Sequence, residues 1–422
     1  MKIKVIGAGL AGTSASYFLA NKGVKVTLVD QKPHLEGPFH SQNFAELVCS
    51  NSLKSTSKEN ACGLLKDEIE KIGSLFIEAS KIAKIPSGSD LAVDRNIFSS
   101  YIDNKIRNHP NIEIVEEKVE KIDPSETQII CTGPLSDETF LSSFKTLTQA
   151  DACSFYDAAA PLVYLSSLDT SKMYFKSRYD KGEGKYLNIP LNKEEYERFS
   201  SELARAERVI NNDSTHFESC LPIEVIASRG IDSLRFGPLT PKGLNDEEHH
   251  PYAVVQLRQD DVANTLYGLV GFQTNLTYKE QKRVFGMLSG MKDAKYARFG
   301  LMHRNSYILA PEILNRDLSL KKYPNIFIGG QFSGVEGYVE SAASGLLAAY
   351  YAYKYLKGER IELIPINTML GSLVNYLVMS NKKNFAPMNA CYGILQNPHK
   401  KDRLEAYNDS MESLSEWLKF YE

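Results

Sequence analysis

The chain opens with an apolar run at residues 2–6, a glycine-rich bend, small and apolar residues at helical spacing over 13–22, and a second apolar run at 24–29. Short apolar runs bounded by turn residues predict buried strands. The order strand, turn, helix, strand predicts a right-handed βαβ unit with parallel strands. Leu64, Leu65, Ile69, Ile72, Leu75, Ala79 and Ile82 share one helical face and predict a helix over 60–84. Another helix is expected over 95–108, with strands over 112–115 and 128–131. From about residue 151 the pattern changes: strand-like stretches (173–175, 253–257, 266–272) mix with helical ones (193–208, 279–288). The opening style returns at 325–328 and leads into a helix over 339–356 rich in Ala, Ser and Gly. The expected fold is α/β: a Rossmann-like dinucleotide-binding domain with an inserted α+β domain. The expected boundaries are 1–150 for its first part, 151–322 for the insertion and 323–422 for the return.

Composition changes this picture little. The 422 residues are 43% hydrophobic and 24% charged, as in soluble globular chains. No apolar run is long enough for a membrane span. The first apolar stretch is interrupted by Gly7, Gly9 and Gly12, so it does not read as a signal peptide, and a cytoplasmic location is expected. Six cysteines form no CxxC pair and no metal spacing, so free thiols and no metal are expected. A net charge of −3 excludes a strongly basic nucleic-acid binder, but not a local basic face. Between Gly271 and Tyr323 there are ten Lys or Arg against four Asp or Glu.

The bend Gly7-Ala8-Gly9-Leu10-Ala11-Gly12 has a dinucleotide-binding spacing in full context: strand before, helix after, and Asp30 at the end of the second strand. The first glycine permits the tight turn. The second lets a pyrophosphate approach the backbone, and the third lets helix and strand pack closely. The helix N-terminus then faces the anion, and Asp30 is placed to accept from ribose hydroxyls. NAD and FAD share this pattern. Two strand ends favour FAD: Cys131-Thr132-Gly133, and the late Gly329-Gly330-Gln331 before a small-residue helix, a return that suits a long cofactor lying across the sheet.

Longer strings make a resemblance specific: 44–53 (FAELVCSNSL), 91–95 (LAVDR), 155–161 (FYDAAAP), 177–182 (SRYDKG), 220–224 (CLPIE), 251–261 (PYAVVQLRQDD), 271–274 (GFQT), 302–305 (MHRN) and 334–345 (GVEGYVESAASG). With these the chain resembles the folate- and FAD-dependent RNA (uracil-5-)-methyltransferases, the TrmFO family, along nearly its whole length. The resemblance implies an FAD domain with an insertion, 5,10-methylenetetrahydrofolate as carbon donor, FAD as carrier and reductant of that carbon, and NADPH or NADH as source of electrons. The implied acceptor is RNA, in most members a uridine of the tRNA T-loop and in some relatives 23S ribosomal RNA. The chain departs from the family pattern at 330–333, in a short loop at 245–250, and in having Trp417 as its single Trp. These departures bear on the RNA target. A small-molecule flavin oxidoreductase is the rival from another class. It has no use for a nucleophilic cysteine in a Cys-Leu-Pro string. The oligomeric state is not set by the sequence.

Uracil C5 is a poor nucleophile until a thiolate adds at C6. The resemblance assigns that thiolate to Cys220, and to Cys49 the handling of the C5 proton. Tyr338, at the start of the late helix, is placed to cover the flavin. Gly330, Gln331 and Gly337 join Gly7, Gly9, Leu10, Ala11, Gly12, Asp30, Thr132 and Gly133 as expected cofactor residues. Arg258, Gln259 and Asp260 form a polar cluster after a strand, and with His303 and Arg304 are candidates for folate or RNA contacts. Lys279, Lys282, Arg283, Lys292, Lys295 and Arg298, interleaved with Tyr278, Phe285, Tyr296 and Phe299, give RNA an electrostatic and stacking footing.

Overall fold

The computed structural model describes residues 1–32, 41–150, 152–180, 186–209 and 221–420. Cys220 therefore lies outside the described residues.

Alternating burial along Lys2–Ile6 and Lys25–Asp30 leaves both strands buried within a sheet. That sheet has six strands in the spatial order Ser319–Leu320, Tyr323–Ile328, Gln128–Ile130, Lys2–Ile6, Lys25–Asp30 and Ile112–Glu116. Five run parallel, and the first closes the edge as an antiparallel partner of the second. The register sets Val5 beside Leu28 and Ile129, and Phe327 beside Ile129. The chain thus returns to its starting sheet after a long excursion. Parallel strands need crossover helices on their faces. Here the first helix, Leu10–Asn21, packs against the late helix, Tyr338–Lys357. The contact is unusually close: a Cβ at Gly345 would sit 2.3 Å from the Ala11 carbonyl oxygen.

The second sheet is wholly antiparallel, in the order Tyr174–Lys176, Tyr186–Leu191, Ala253–Gln259, Leu266–Leu269, Leu162–Tyr164, Tyr296–Arg298. It has its own core, in which Leu187, Ile189, Val255 and Leu257 meet Tyr196, Phe199 and Leu203 of the helix Lys193–Arg205. That helix begins with a capping box, Asn192 and Glu195 each satisfying the other's backbone N–H. A two-stranded ribbon, Ala152–Ala158 with Met302–Ile308, carries the chain out of the first core and back into it.

Most expected elements are present within a few residues of their predicted bounds. Two differ for physical reasons, and one small sheet is additional. The first helix starts at Leu10, inside the glycine bend, because Gly9 serves as its N-cap. The helix expected over 60–84 is two helices, Ala61–Ile72 and Leu75–Ile82. Gly73 at φ 91° takes the left-handed C-terminal position that stops the first of them. A small sheet of Ser52–Ser55, Asp90–Val93 and Lys84–Ile85 was not anticipated, since strands of two to four residues leave no periodic signature.

Candidate active site

In open α/β sheets, ligands bind beyond the carboxyl ends of the strands. Three such ends converge here. Gly7 N–H donates to Val29 O (2.8 Å), Cys131 N–H to Ile6 O (2.7 Å) and Gly329 N–H to Ile130 O (3.0 Å). Beyond them opens a cleft between the glycine bend and the late helix. Its lining includes Gly7, Gly9, Leu10, Ala11, Asp30, Thr132, Gly133, Gly330, Gln331 and Tyr338. The expected cofactor residues Gly12 and Gly337 do not line it. Gly12 stands behind the bend, where a Cβ would fall 1.7 Å from the Gly7 carbonyl oxygen. Gly337, at φ 118°, is the N-cap of the late helix.

The glycines divide the work. Gly7 has φ 98°, and a Cβ there would meet the Cys131 carbonyl oxygen at 2.3 Å, so this turn requires glycine. Gly9 has ordinary extended backbone, and a Cβ there would meet no protein atom within 4 Å. Its missing side chain leaves room in the cleft and nowhere else. No side chain caps the first helix, so its first-turn N–H groups are left for a ligand. Asp30 also supports the bend, accepting the Ala8 N–H on one carboxylate oxygen and the Lys32 N–H (2.8 Å) on the other. Each oxygen keeps a lone pair for a hydroxyl donor. A diphosphate fits the bare helix end, and a ribose fits the carboxylate at the next strand.

Where the two sheets meet, the loop 47–51 carries Cys49, and three arginines hold it. Arg95 donates to Leu47 O (2.7 Å) and Cys49 O (3.1 Å), and pairs through Nε with Asp260 (2.9 Å). Arg298 reaches Val48 O and Cys49 O, both at 2.8 Å. Arg258 donates to Ser50 Oγ (2.6 Å) and Asn51 Oδ1 (3.0 Å). Two further bonds join the parts of the chain built on the two sheets: Asn51 Nδ2 to Gln259 O (3.0 Å), and Val262 N–H to Asp94 (2.9 Å). Burial, with Arg95 close by, lowers the Arg298 guanidinium to about 10, which leaves it charged at neutral pH.

This geometry revises several expectations. Arg258 and Asp260 are engaged in clamping the cysteine loop, and the Gln259 side chain donates to Asp261 O (2.7 Å). Arg298 points into the protein and does not belong to the basic surface. Arg283 is paired with Glu280 and Glu202. Arg304 is exposed beside Glu138, and the His303 side chain lies outside what the structure describes. Phe285 is fully buried in the second core. Tyr278, Phe299 and Tyr296 form a continuous stack, with centroids 4.7 and 4.6 Å apart, beside exposed Lys279, Lys282, Lys292 and Lys295.

Cys49 is half-buried. Its backbone N–H donates to the Tyr338 hydroxyl (2.7 Å), as does that of Ser50 (3.1 Å). Its thiol lies 3.9 Å from Asp157 Oδ2. Burial and then the Asp157 charge push the thiol well above its usual range, against the opposing pull of Arg298. Cys49 is therefore a protonated thiol at neutral pH. Burial, helped by Asp157 and Glu340, pushes the Glu336 carboxyl up to about 8. Glu336 accepts a hydrogen bond from Gln331 at the cleft wall (2.5 Å). Sequence reasoning did not single out Asp157, Arg95 or Glu336. Each lies inside one of the strings that carry the resemblance (155–161, 91–95 and 334–345), which was the available signal. Among the described residues no group of three or more His, Cys, Asp or Glu is placed to hold a metal ion. No described helix is long and apolar enough to cross a membrane.

A glycine-bend cleft at the strand ends, beside a late helix from the same sheet, defines an α/β protein with a Rossmann-type dinucleotide-binding fold of the flavoprotein kind. The solved structure of Aquifex aeolicus GidA (form II crystal) shares it, with a TM-score of 0.69 over 99% of this chain and 75% of that one, at 15% identity. The sequence profile described as Glucose inhibited division protein A matches residues 2–360. Within that group the chain belongs to the TrmFO family. It is 46% identical to the Methylenetetrahydrofolate--tRNA-(uracil-5-)-methyltransferase TrmFO of Acholeplasma laidlawii, over 99% of each chain. It is 45% identical to the protein of the same description from Bacillus subtilis, over 98% of this chain and 97% of that one.

Proposed function

We propose that the protein is an FAD-dependent methyltransferase that makes 5-methyluridine in tRNA, with 5,10-methylenetetrahydrofolate as carbon donor and NADPH or NADH as reductant. The observation that carries this reading is the full-length likeness to the TrmFO proteins, together with a thiol loop at the mouth of a dinucleotide cleft. FAD fits the cleft: Gly7, Gly9, Leu10 and Ala11 would take its diphosphate, Asp30 its ribose, and Thr132, Gly133, Gly330, Gln331 and Tyr338 its remainder. When bound, it supplies electrons and the site that carries the one-carbon unit. The protein's own groups do the rest. The Cys220 thiolate adds to uracil C6 and makes C5 nucleophilic. Cys49 receives the C5 proton. Tyr338, bonded to the Cys49 and Ser50 backbone, keeps that loop against the cleft. The stacked aromatics and the lysines around them offer splayed bases a platform and phosphates a counter-charge. We assign residues 1–150 and 323–422 to the cofactor lobe, and 151–322 to the inserted lobe that faces RNA.

The test is direct. The purified protein is incubated with methylenetetrahydrofolate, NADPH and separate tRNA and ribosomal RNA pools, and new 5-methyluridine is mapped. Methylation of tRNA is expected, and its absence from both pools overturns the reading. Cys220→Ala is expected to abolish methyl transfer while the flavin spectrum of the protein persists.

A further inference from the structure

For Cys49 to take a proton from carbon, it must first lose its own. Around it the structure sets groups of both signs. Arg95 and Arg298 converge on its carbonyl oxygen, on the backbone side of the residue. Tyr338 faces its N–H, Asp260 lies behind Arg95, and Glu336 lies on the cleft side. A carboxylate faces the sulfur. Asp157 is the next-to-last residue of the strand Ala152–Ala158 and is 6% exposed. Its Oδ1 accepts the Ala158 N–H (2.8 Å), which fixes the carboxylate and turns Oδ2 toward Cys49 Sγ at 3.9 Å. The ribbon pins the strand on its other side, with Asp157 opposite His303 in register.

We propose that Asp157 is the proton acceptor behind Cys49, a positioning residue that turns this thiol into a base when substrate is in place. The inference rests on the methyltransferase reading above. In the step, the Cys49 S–H bond breaks and an O–H bond forms at Asp157 Oδ2, which leaves a thiolate and a neutral carboxyl. The thiolate then takes the hydrogen of the substrate carbon as a proton, and the C–H electron pair stays on the ring as the enolate. One proton passes from carbon to sulfur and one from sulfur to carboxylate, with no change of oxidation state. The pairing also explains why the loop is clamped through its carbonyls. Arg95 and Arg298 hold the loop by its backbone, while Asp157 faces the sulfur.

The test uses the flavin-loaded enzyme and RNA tritiated at uridine C5. Asp157→Asn is expected to keep its flavin spectrum and its rate of flavin reduction by NADPH. Tritium release is expected to fall about a hundredfold, in kcat with little change in KM. Asp157→Glu is expected to restore part of the rate, with the acidic limb of the pH–rate profile moved. A second readout needs no RNA. The pH profile of Cys49 alkylation, followed by peptide mass, is expected to shift to lower pH in Asp157→Asn, since a carboxylate that opposes the thiolate is gone. Tritium release within about twofold of the parent overturns the proposal, as does an unmoved alkylation profile. If the parent enzyme makes no 5-methyluridine, the methyltransferase reading falls, while the alkylation profile still decides the Asp157–Cys49 contact. Should Asp157→Asn fail to hold flavin, the Asp157→Glu pH–rate profile decides, and an unmoved limb overturns the proposal.

Discussion

Two glycines of the same bend respond in opposite ways to an added side chain. Gly9 has space on the protein side, so Gly9→Val is expected to fold with the thermal stability of the cofactor-free parent and to be colourless. A yellow, flavin-replete Gly9→Val protein would place the cofactor elsewhere. Gly12 has no such space, and Gly12→Val forces the helix off the Gly7 carbonyl. Overpacking of that kind costs on the order of 3 kcal/mol, so the expected result is a large drop in melting temperature and soluble yield before any question of cofactor. Glu336 gives a pH prediction. Its folded pKa, about 8, lies above the ordinary 4.5, so the unfolded chain binds fewer protons between those values. This group's contribution therefore erodes as pH rises through that window. Glu336→Gln removes the dependence, and its melting temperature should gain on the parent's as pH goes from about 5 to about 8, in matched scans. The glycine bend and Asp30 were legible in the sequence because their meaning is local. Asp157 was not, because its partner lies 108 positions away.

At the scale of elements, the cysteine loop is the informative case. Residues 47–51 hold their shape through guanidinium groups supplied by a helix start and by two strands of the second sheet. A planar fork donating to successive carbonyls is something lysine does not reproduce. Arg298→Lys is therefore expected to loosen the loop: backbone amides of 47–51 should exchange hydrogen faster, and Cys49 should be alkylated more quickly, with the flavin still bound. Unchanged exchange would show that Arg95 and Arg258 suffice. Hydrophobic spacing predicted most of the long helices and strands. It missed the break at Gly73, since Leu64 to Ala79 keep one buried apolar face through two helices, and it placed Ile82 on that face although Ile82 is exposed. It also read Arg258 and Asp260 as ligand contacts, because a polar cluster after a strand looks the same whether it faces a ligand or another part of the chain.

At the scale of the molecule, the two lobes have separate cores and meet along the cysteine loop. The fold class was visible early because the opening and closing segments of the first sheet share one style and the insertion another. The facing of the lobes was not, since that depends on side-chain bonds such as Asn51 to Gln259. The same arrangement gives the basic stretch a surface role that differs residue by residue. Lys279, Lys282, Lys292 and Lys295 are exposed, while Arg298 is structural. Replacing the four lysines by glutamate is expected to weaken RNA binding across sequences. It should also flatten the dependence of log affinity on log salt, by about 0.7–0.9 for each phosphate that is no longer neutralised. Flavin content should be unchanged. Filter binding at several salt concentrations checks this, and an unaltered slope would move the RNA to another face.

The close seat of Gly345 on Ala11 has a consequence for biosynthesis. Half of the nucleotide cradle leaves the ribosome first, and the helix that completes it arrives roughly three hundred residues later, a very non-local pairing for a folding chain. A nascent chain halted before that helix would carry the whole fingerprint yet have no finished pocket. Flavin capture should then wait for the synthesis of that helix, and a product terminated ahead of it should emerge without colour.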